Sequence, residues 1–180
     1  MRGRIIACIL LLCLPGWAAG SGTWLDIPFV HQPPEGCGAA SIAMIIAYWR
    51  GQGYRAEDQV AEVADIQQAL FSPQDHGIKA SLVRDYFEKH GFRTFILRGD
   101  RGLVAHHLAR GRPLMVTLKP GGSAPLHYLV IAGFEPADDV ILVNDPAQRK
   151  LLKLSLRDFE REWQAAGNWT LLAVPQSDPR

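Results

Sequence analysis

Apolar positions along the chain fall into two regimes. From Ala39 the residues Ala40, Ile42, Ala43, Met44, Ile45, Ile46, Ala47 and Trp49 are apolar nearly all round, which predicts a central buried helix ending at Gly51. Val60, Val63, Ala64, Gln67 and Leu70 recur at helical spacing and predict a second helix from Glu57 to Leu70. A polar loop, Ser72 to Gly77, separates it from a third helix, Ala80 to His90, which Gly91 stops. Phe92 to Leu97 reads as a strand, Asp100 as the cap of a fourth helix reaching Gly111, and Pro113 to Leu118 as a second strand. Thereafter the period shortens. Tyr128 to Phe134, Val140 to Asn144, Leu151 to Ser155 and Trp169 to Val174 are strand-like, with only Leu156 to Ala166 helical between them. Helices first and antiparallel sheet second describe an α+β fold, a helical N-terminal lobe packed on a C-terminal sheet.

The first residues do not belong to that pattern. Met-Arg-Gly-Arg precedes an apolar run from Ile5 to Leu14, followed by Pro15, Gly16, Trp17 and the small residues Ala18, Ala19 and Gly20. This is the pattern of a secretory signal peptide over residues 1–19, leaving residues 20–180 as one domain in an exported, periplasmic or extracellular protein. The run is far shorter than the roughly 20 apolar residues of a membrane-spanning helix, and no later stretch reaches that length. Cleavage removes Arg2 and Arg4, so 17 basic residues face 18 acidic ones. A chain so balanced carries no basic footprint for nucleic acid. Oligomeric state leaves no trace in the sequence.

Cleavage also removes Cys8 and Cys13, and Cys37 becomes the only thiol of the mature chain. A lone thiol in an oxidising compartment is exposed to sulfenic acid and mixed-disulfide chemistry, so it is either a buried apolar residue or a reagent. Its neighbours favour the reagent. The segment His31-Gln32-Pro33-Pro34-Glu35-Gly36 forbids helix, and helix becomes possible after Gly38, which places Cys37 at a helix N-terminus. There the partial positive charge and the unpaired N–H groups of the first turn favour a thiolate. Gly36 and Gly38 would let a substrate backbone approach, and Gln32, held by two prolines, carries an amide NH2 able to donate to an oxyanion.

The base must come from elsewhere in the chain. His31 is too local, His76 and His106 look solvated, and His90 and His107 fall on or near apolar helix faces. His127 opens an apolar strand after the loop Pro120 to Pro125. If the following hairpin turns about Pro136, Asp145 is equidistant from the turn and lies directly opposite His127, where a carboxylate would fix the imidazole tautomer. A slip in pairing would bring in Asn144 instead.

Gln32-Pro33-Pro34-Glu35-Gly36-Cys37-Gly38-Ala39-Ala40-Ser41, His127-Tyr128-Leu129-Val130-Ile131 and Asn144-Asp145-Pro146, in that order, resemble the bacterial papain-like family that includes the bacteriocin-processing, double-glycine leader peptidases. The resemblance spans nearly the whole mature chain. It implies a papain-like fold, thiol peptidase activity on a peptide or protein substrate without metal or other cofactor, and the roles of Cys37 as nucleophile, His127 as base, Asp145 as orienter and Gln32 as oxyanion donor.

Three other readings compete. A cell-wall amidase or transpeptidase on the same scaffold would also pass through an acyl-enzyme at Cys37. A non-catalytic peptide-binding module would keep the fold without needing a nucleophile. A zinc site would need close ligand pairs, and the adjacent His106 and His107 diverge on a helix.

Overall fold

The computed structural model describes residues 22–54, 62–121 and 125–176; the expected signal peptide, with Cys8 and Cys13, lies outside them. In chain order the elements are β1 (Thr23–Trp24), α1 (Cys37–Gly51), α2 (Val63–Leu70), α3 (Ala80–Lys89), β2 (Phe92–Arg98), α4 (Arg101–Leu108), β3 (Leu114–Leu118), β4 (His127–Glu135), β5 (Val140–Asp145), β6 (Arg149–Ser155), α5 (Leu156–Ala165) and β7 (Trp169–Pro175). The expected α+β organisation is present. The strands form one antiparallel sheet in the order β2-β7-β3-β4-β5-β6, with β1 added against β4.

Both faces of that sheet are covered. Along β4, Tyr128, Val130 and Ala132 enter a core with Ile42, Ile45 and Phe87, while Leu129 and Ile131 enter a second core with Leu108, Phe159 and Trp163. Alternation of side chains across a strand produces this split, and burial on both faces is why the strand reads as a continuous apolar run. The helices therefore divide: α1, α2 and α3 supply the first core, α4 and α5 the second. Phe159 and Trp163 are core residues at 1% exposure.

Several boundaries differ from the sequence-based expectation for local reasons. Helix α1 begins at Cys37 itself, two residues earlier than the apolar run, with Gly36 as its N-cap. Nothing in the residues Cys37 and Gly38 opposes helical geometry; the first turn simply carries little pattern. Helix α2 begins at Val63, and the expected start at Glu57 lies outside the described residues. Of the apolar stretch Trp24 to Val30, only Thr23–Trp24 is strand, although Ile27 is fully buried. The caps of α4 and α5 are side-chain caps: Asp100 accepts from the N–H of Leu103 and Ser155 from that of Asp158.

The β4–β5 hairpin departs from the expected register. A 3-10 turn occupies Pro136–Asp138, Asp139 adopts a left-handed conformation at φ 54°, and the ladder pairs Glu135 with Val140 and Val130 with Asn144. At the turn the pairing is three positions from the expected register, and a bulge between Ile131 and Gly133 takes one back. His127 is thus not directly opposite Asp145 but displaced by two positions. A shift of two preserves the face, because side chains repeat with period two.

Candidate active site

Helix α1 presents Cys37 at its first position, where no side chain caps the helix and no acidic residue sits in the first turn. The N-terminal N–H groups and the positive end of the dipole are therefore left to the thiol. Cys37 is a half-buried free cysteine. Burial would push its pKa up. The hydrogen bond with His127, the N–H groups of Tyr128 and Gly38 and the positive charge of His127 more than reverse that, and the thiol lies below its ordinary value.

His127 opens β4 and is held from the far side. Its Nε2 lies 2.8 Å from Oδ1 of Asp145, which leaves Nδ1 for the sulfur. Burial alone would lower the imidazole's pKa, but the bonds with Asp145 and Cys37 and their negative charges raise it to about 9. A raised imidazole and a lowered thiol beside it are the shifts that a proton held on the ring rather than on the sulfur would produce.

Asp145 ends β5 at 4% exposure. Burial would raise its pKa, yet the His127 bond and charge, the N–H of Ala147 and the amide of Gln148 hold the carboxyl below its usual range. The distances are 2.9 Å from Ala147 N to Oδ1 and 2.6 Å from Gln148 Nε2 to Oδ2. Asn144, the alternative orienter, is instead buried in a structural role: its Nδ2 donates to the carbonyl of Ile27 and its Oδ1 accepts from the N–H of Leu151.

Gln32 is half-buried, and its backbone N–H donates to the carbonyl of Pro146 at 3.0 Å. That bond lays the segment entering α1 against the turn that follows Asp145. The acceptor oxygen Oε1 of the Gln32 side chain is buried with no partner among the described residues.

The flanking glycines also meet a packing demand. A Cβ on Gly36 would lie 2.5 Å from Cγ and 2.9 Å from the carbonyl oxygen of Pro33, while one on Gly38 would meet Ile78 at 3.2 Å and Tyr128 at 3.4 Å. Both residues let the nucleophile's loop and helix close against their own neighbours. Tyr128 completes that wall by donating from its hydroxyl to the carbonyl of Ile78.

The other histidines are accounted for. His31 is exposed beside Phe29, His76 pairs with Glu35 at 2.8 Å, and His90 donates from Nδ1 to the carbonyl of Tyr86 while stacked on its ring. His106 contacts Arg110, and His107, with a pKa lowered by burial and then by neighbouring cations, stays neutral. Among the described residues, no three His, Cys, Asp or Glu side chains group as a metal would require. Sequence reasoning missed Gln148 and Ala147; the available signal was the Asp-Pro turn, whose first residue commonly binds N–H groups two and three positions on.

Comparison with known proteins bears on the fold and the family. The peptidase domain of Streptococcus ComA, a bifunctional ABC transporter involved in quorum sensing, superposes with a TM-score of 0.64 at 22% identity, covering 84% of this chain and all of that domain. A double-glycine-motif protease from an AMS/PCAT transporter, solved with its leader peptide, gives 0.63 at 20% identity over 85% of this chain and 94% of its own. A C39-like peptidase from Bacillus anthracis gives 0.66 at 16% identity over 88% of this chain and 100% of its own. These likenesses carry the fold. No curated protein sequence matches the chain. The sequence model of the Peptidase_C39 like family does match, over residues 24–171, a span that holds Gln32, Cys37, His127 and Asp145. The chain therefore belongs to the Peptidase_C39-like family, and it is a cysteine peptidase with the mixed helix and antiparallel-sheet fold of that group.

Proposed function

We propose that the protein is an exported thiol peptidase that hydrolyses a peptide bond through an acyl-enzyme at Cys37. The observation that carries this reading is the line Cys37–His127–Asp145: His127 Nε2 lies 2.8 Å from Asp145 Oδ1, and the ring and the Cys37 thiol interact so that the imidazole is raised and the thiol lowered. In the resting state the proton sits on His127 and the sulfur is anionic. The thiolate attacks the carbonyl carbon, and the oxyanion that forms is met by the Gln32 amide and the N–H of Cys37. The imidazolium then protonates the leaving amine as the C–N bond breaks. Neutral His127 next removes a proton from water, the resulting hydroxide adds to the thioester carbonyl, the C–S bond breaks with its electron pair going to the Cys37 sulfur, and the acid product leaves with the thiolate–imidazolium pair restored. Asp145 holds the ring in one tautomer and stabilises its cation throughout.

Export is supported by the charged, apolar and small-residue sequence of the leader. A peptide substrate is supported by the related protease solved with its leader peptide. The test is product analysis by mass spectrometry after incubation with unstructured peptides and, separately, with cell-wall fragments, using wild type and Cys37→Ala. Cleavage of internal peptide bonds by wild type alone supports the proposal. Cleavage of cell-wall stem peptides alone, or coupling of fragments to an amine acceptor, replaces peptidase with amidase or transpeptidase.

A further inference from the structure

We propose that Gln148 is a positioning residue for the hydrolytic reaction, its side-chain amide holding the Asp145 carboxylate in the rotamer that aims Oδ1 at His127. This rests on the reading of Cys37, His127 and Asp145 as the reacting set.

A carboxylate is loosely defined about its last torsion, whose energy profile is broad and two-fold. At Asp145 both known contacts besides Gln148 fall on one oxygen: Oδ1 accepts from Ala147 N at 2.9 Å and lies 2.8 Å from His127 Nε2. Oδ2 is held by Gln148 Nε2 at 2.6 Å. Without that bond, rotation would exchange the oxygens or swing Oδ1 out of line with the ring. With it, three donors fix the plane of the group.

Gln148 is itself anchored. Its backbone N–H donates to the Asp145 carbonyl at 2.9 Å, closing a turn over residues 145–148, and the next residue, Arg149, pairs with Asp145 across the β5–β6 ladder. The side chain therefore reaches back over its own turn to the carboxylate. The charged group facing Asp145 from another element is His127 on β4, which in turn faces Cys37 on α1; Arg149, its partner on β6, makes no ion pair with it among the described residues. Gln148 is exposed, so changing it disturbs no core.

Two substitutions separate positioning from turn stability. Gln148→Met keeps length and bulk but has no N–H to donate. Gln148→Glu can donate while its carboxyl is protonated and repels Asp145 once ionised. Peptide hydrolysis is followed as kcat and KM against pH, together with the low-field proton NMR resonance of the His127–Asp145 hydrogen bond and the melting temperature.

The expected result for Gln148→Met is a fall in kcat of about tenfold with KM and melting temperature unchanged, and loss or upfield movement of the low-field proton. Gln148→Glu should match wild type at the acid end of the profile and lose activity as its new carboxyl ionises. Wild-type kcat, profile and proton resonance in both variants would overturn the proposal, as would a loss that tracks melting temperature alone. Cys37→Ala serves as reference. If it still hydrolyses peptide, the underlying assignment fails and not merely the part given to Gln148.

Discussion

The backbone N–H of Gln32 donates to the carbonyl of Pro146 at 3.0 Å, so the segment entering α1 and the turn behind Asp145 are joined by main chain rather than by side chains. Substituting the Gln32 side chain leaves that join in place. Gln32→Ala should therefore lower kcat by roughly a hundred- to a thousandfold, the usual cost of one oxyanion donor. The rate of Cys37 alkylation should stay near wild type, since thiolate formation does not use the amide. Parallel measurement of hydrolysis and alkylation checks this; equal losses in both would place Gln32 in thiol activation instead.

Asp145 and His127 make a different demand, because a half-buried ring sits against a buried carboxylate. Asp145→Asn can still accept from His127 but carries no charge, so the imidazole should titrate well below the wild-type value of about 9. Hydrolysis should fall with it. The check is NMR titration of His127 beside the pH profile of kcat, where the alkaline limb of the variant should move to lower pH.

The same raised imidazole links stability to pH. His127 titrates near about 9 in the folded protein and near about 6.5 in an unfolded chain, so the folded state binds the proton more tightly. Its contribution is complete below the unfolded value and is lost as pH rises through the folded one. In Cys37→Ala, which removes the thiol's opposite dependence, the urea midpoint should fall as pH rises from neutrality into the alkaline range. Adding Asp145→Asn should flatten that slope.

Gly36 provides a test of packing beside the nucleophile. Its missing Cβ would overlap the ring of Pro33 at 2.5 Å and crowd the carbonyl oxygen to which Gly36 N donates. Gly36→Ala should destabilise by about 1–3 kcal/mol, the common cost of overpacking a tight site. Urea unfolding measures it, and an unchanged midpoint would show that the Pro33 turn yields freely.

Much of this arrangement could be read before any coordinates, and the exceptions have physical causes. Cys37, Gln32, His127 and Asp145 stood out because prolines, glycines and a change of period mark the places where chain direction is set. The hairpin register did not. Pro136 suggested a turn centred on itself, but a left-handed Asp139 and the bulge beyond Ile131 moved the pairing by two residues. His127 and Asp145 still meet because the displacement is even and both side chains are long enough to reach diagonally. The insertion of β7 between β2 and β3 was equally invisible, since strand order depends on contacts between segments far apart in sequence. Gln148 is exposed, and its bond to Oδ2 is what distinguishes it.

The central claim is that His127 holds Cys37 as a thiolate. Iodoacetamide alkylation of Cys37 against pH, in wild type and in His127→Ala, tests it most directly. The account predicts a wild-type midpoint clearly below that of a free cysteine and a rise toward or above the free value, about 8.5, when the imidazole is removed. A wild-type midpoint at the free value that does not move in His127→Ala would contradict it.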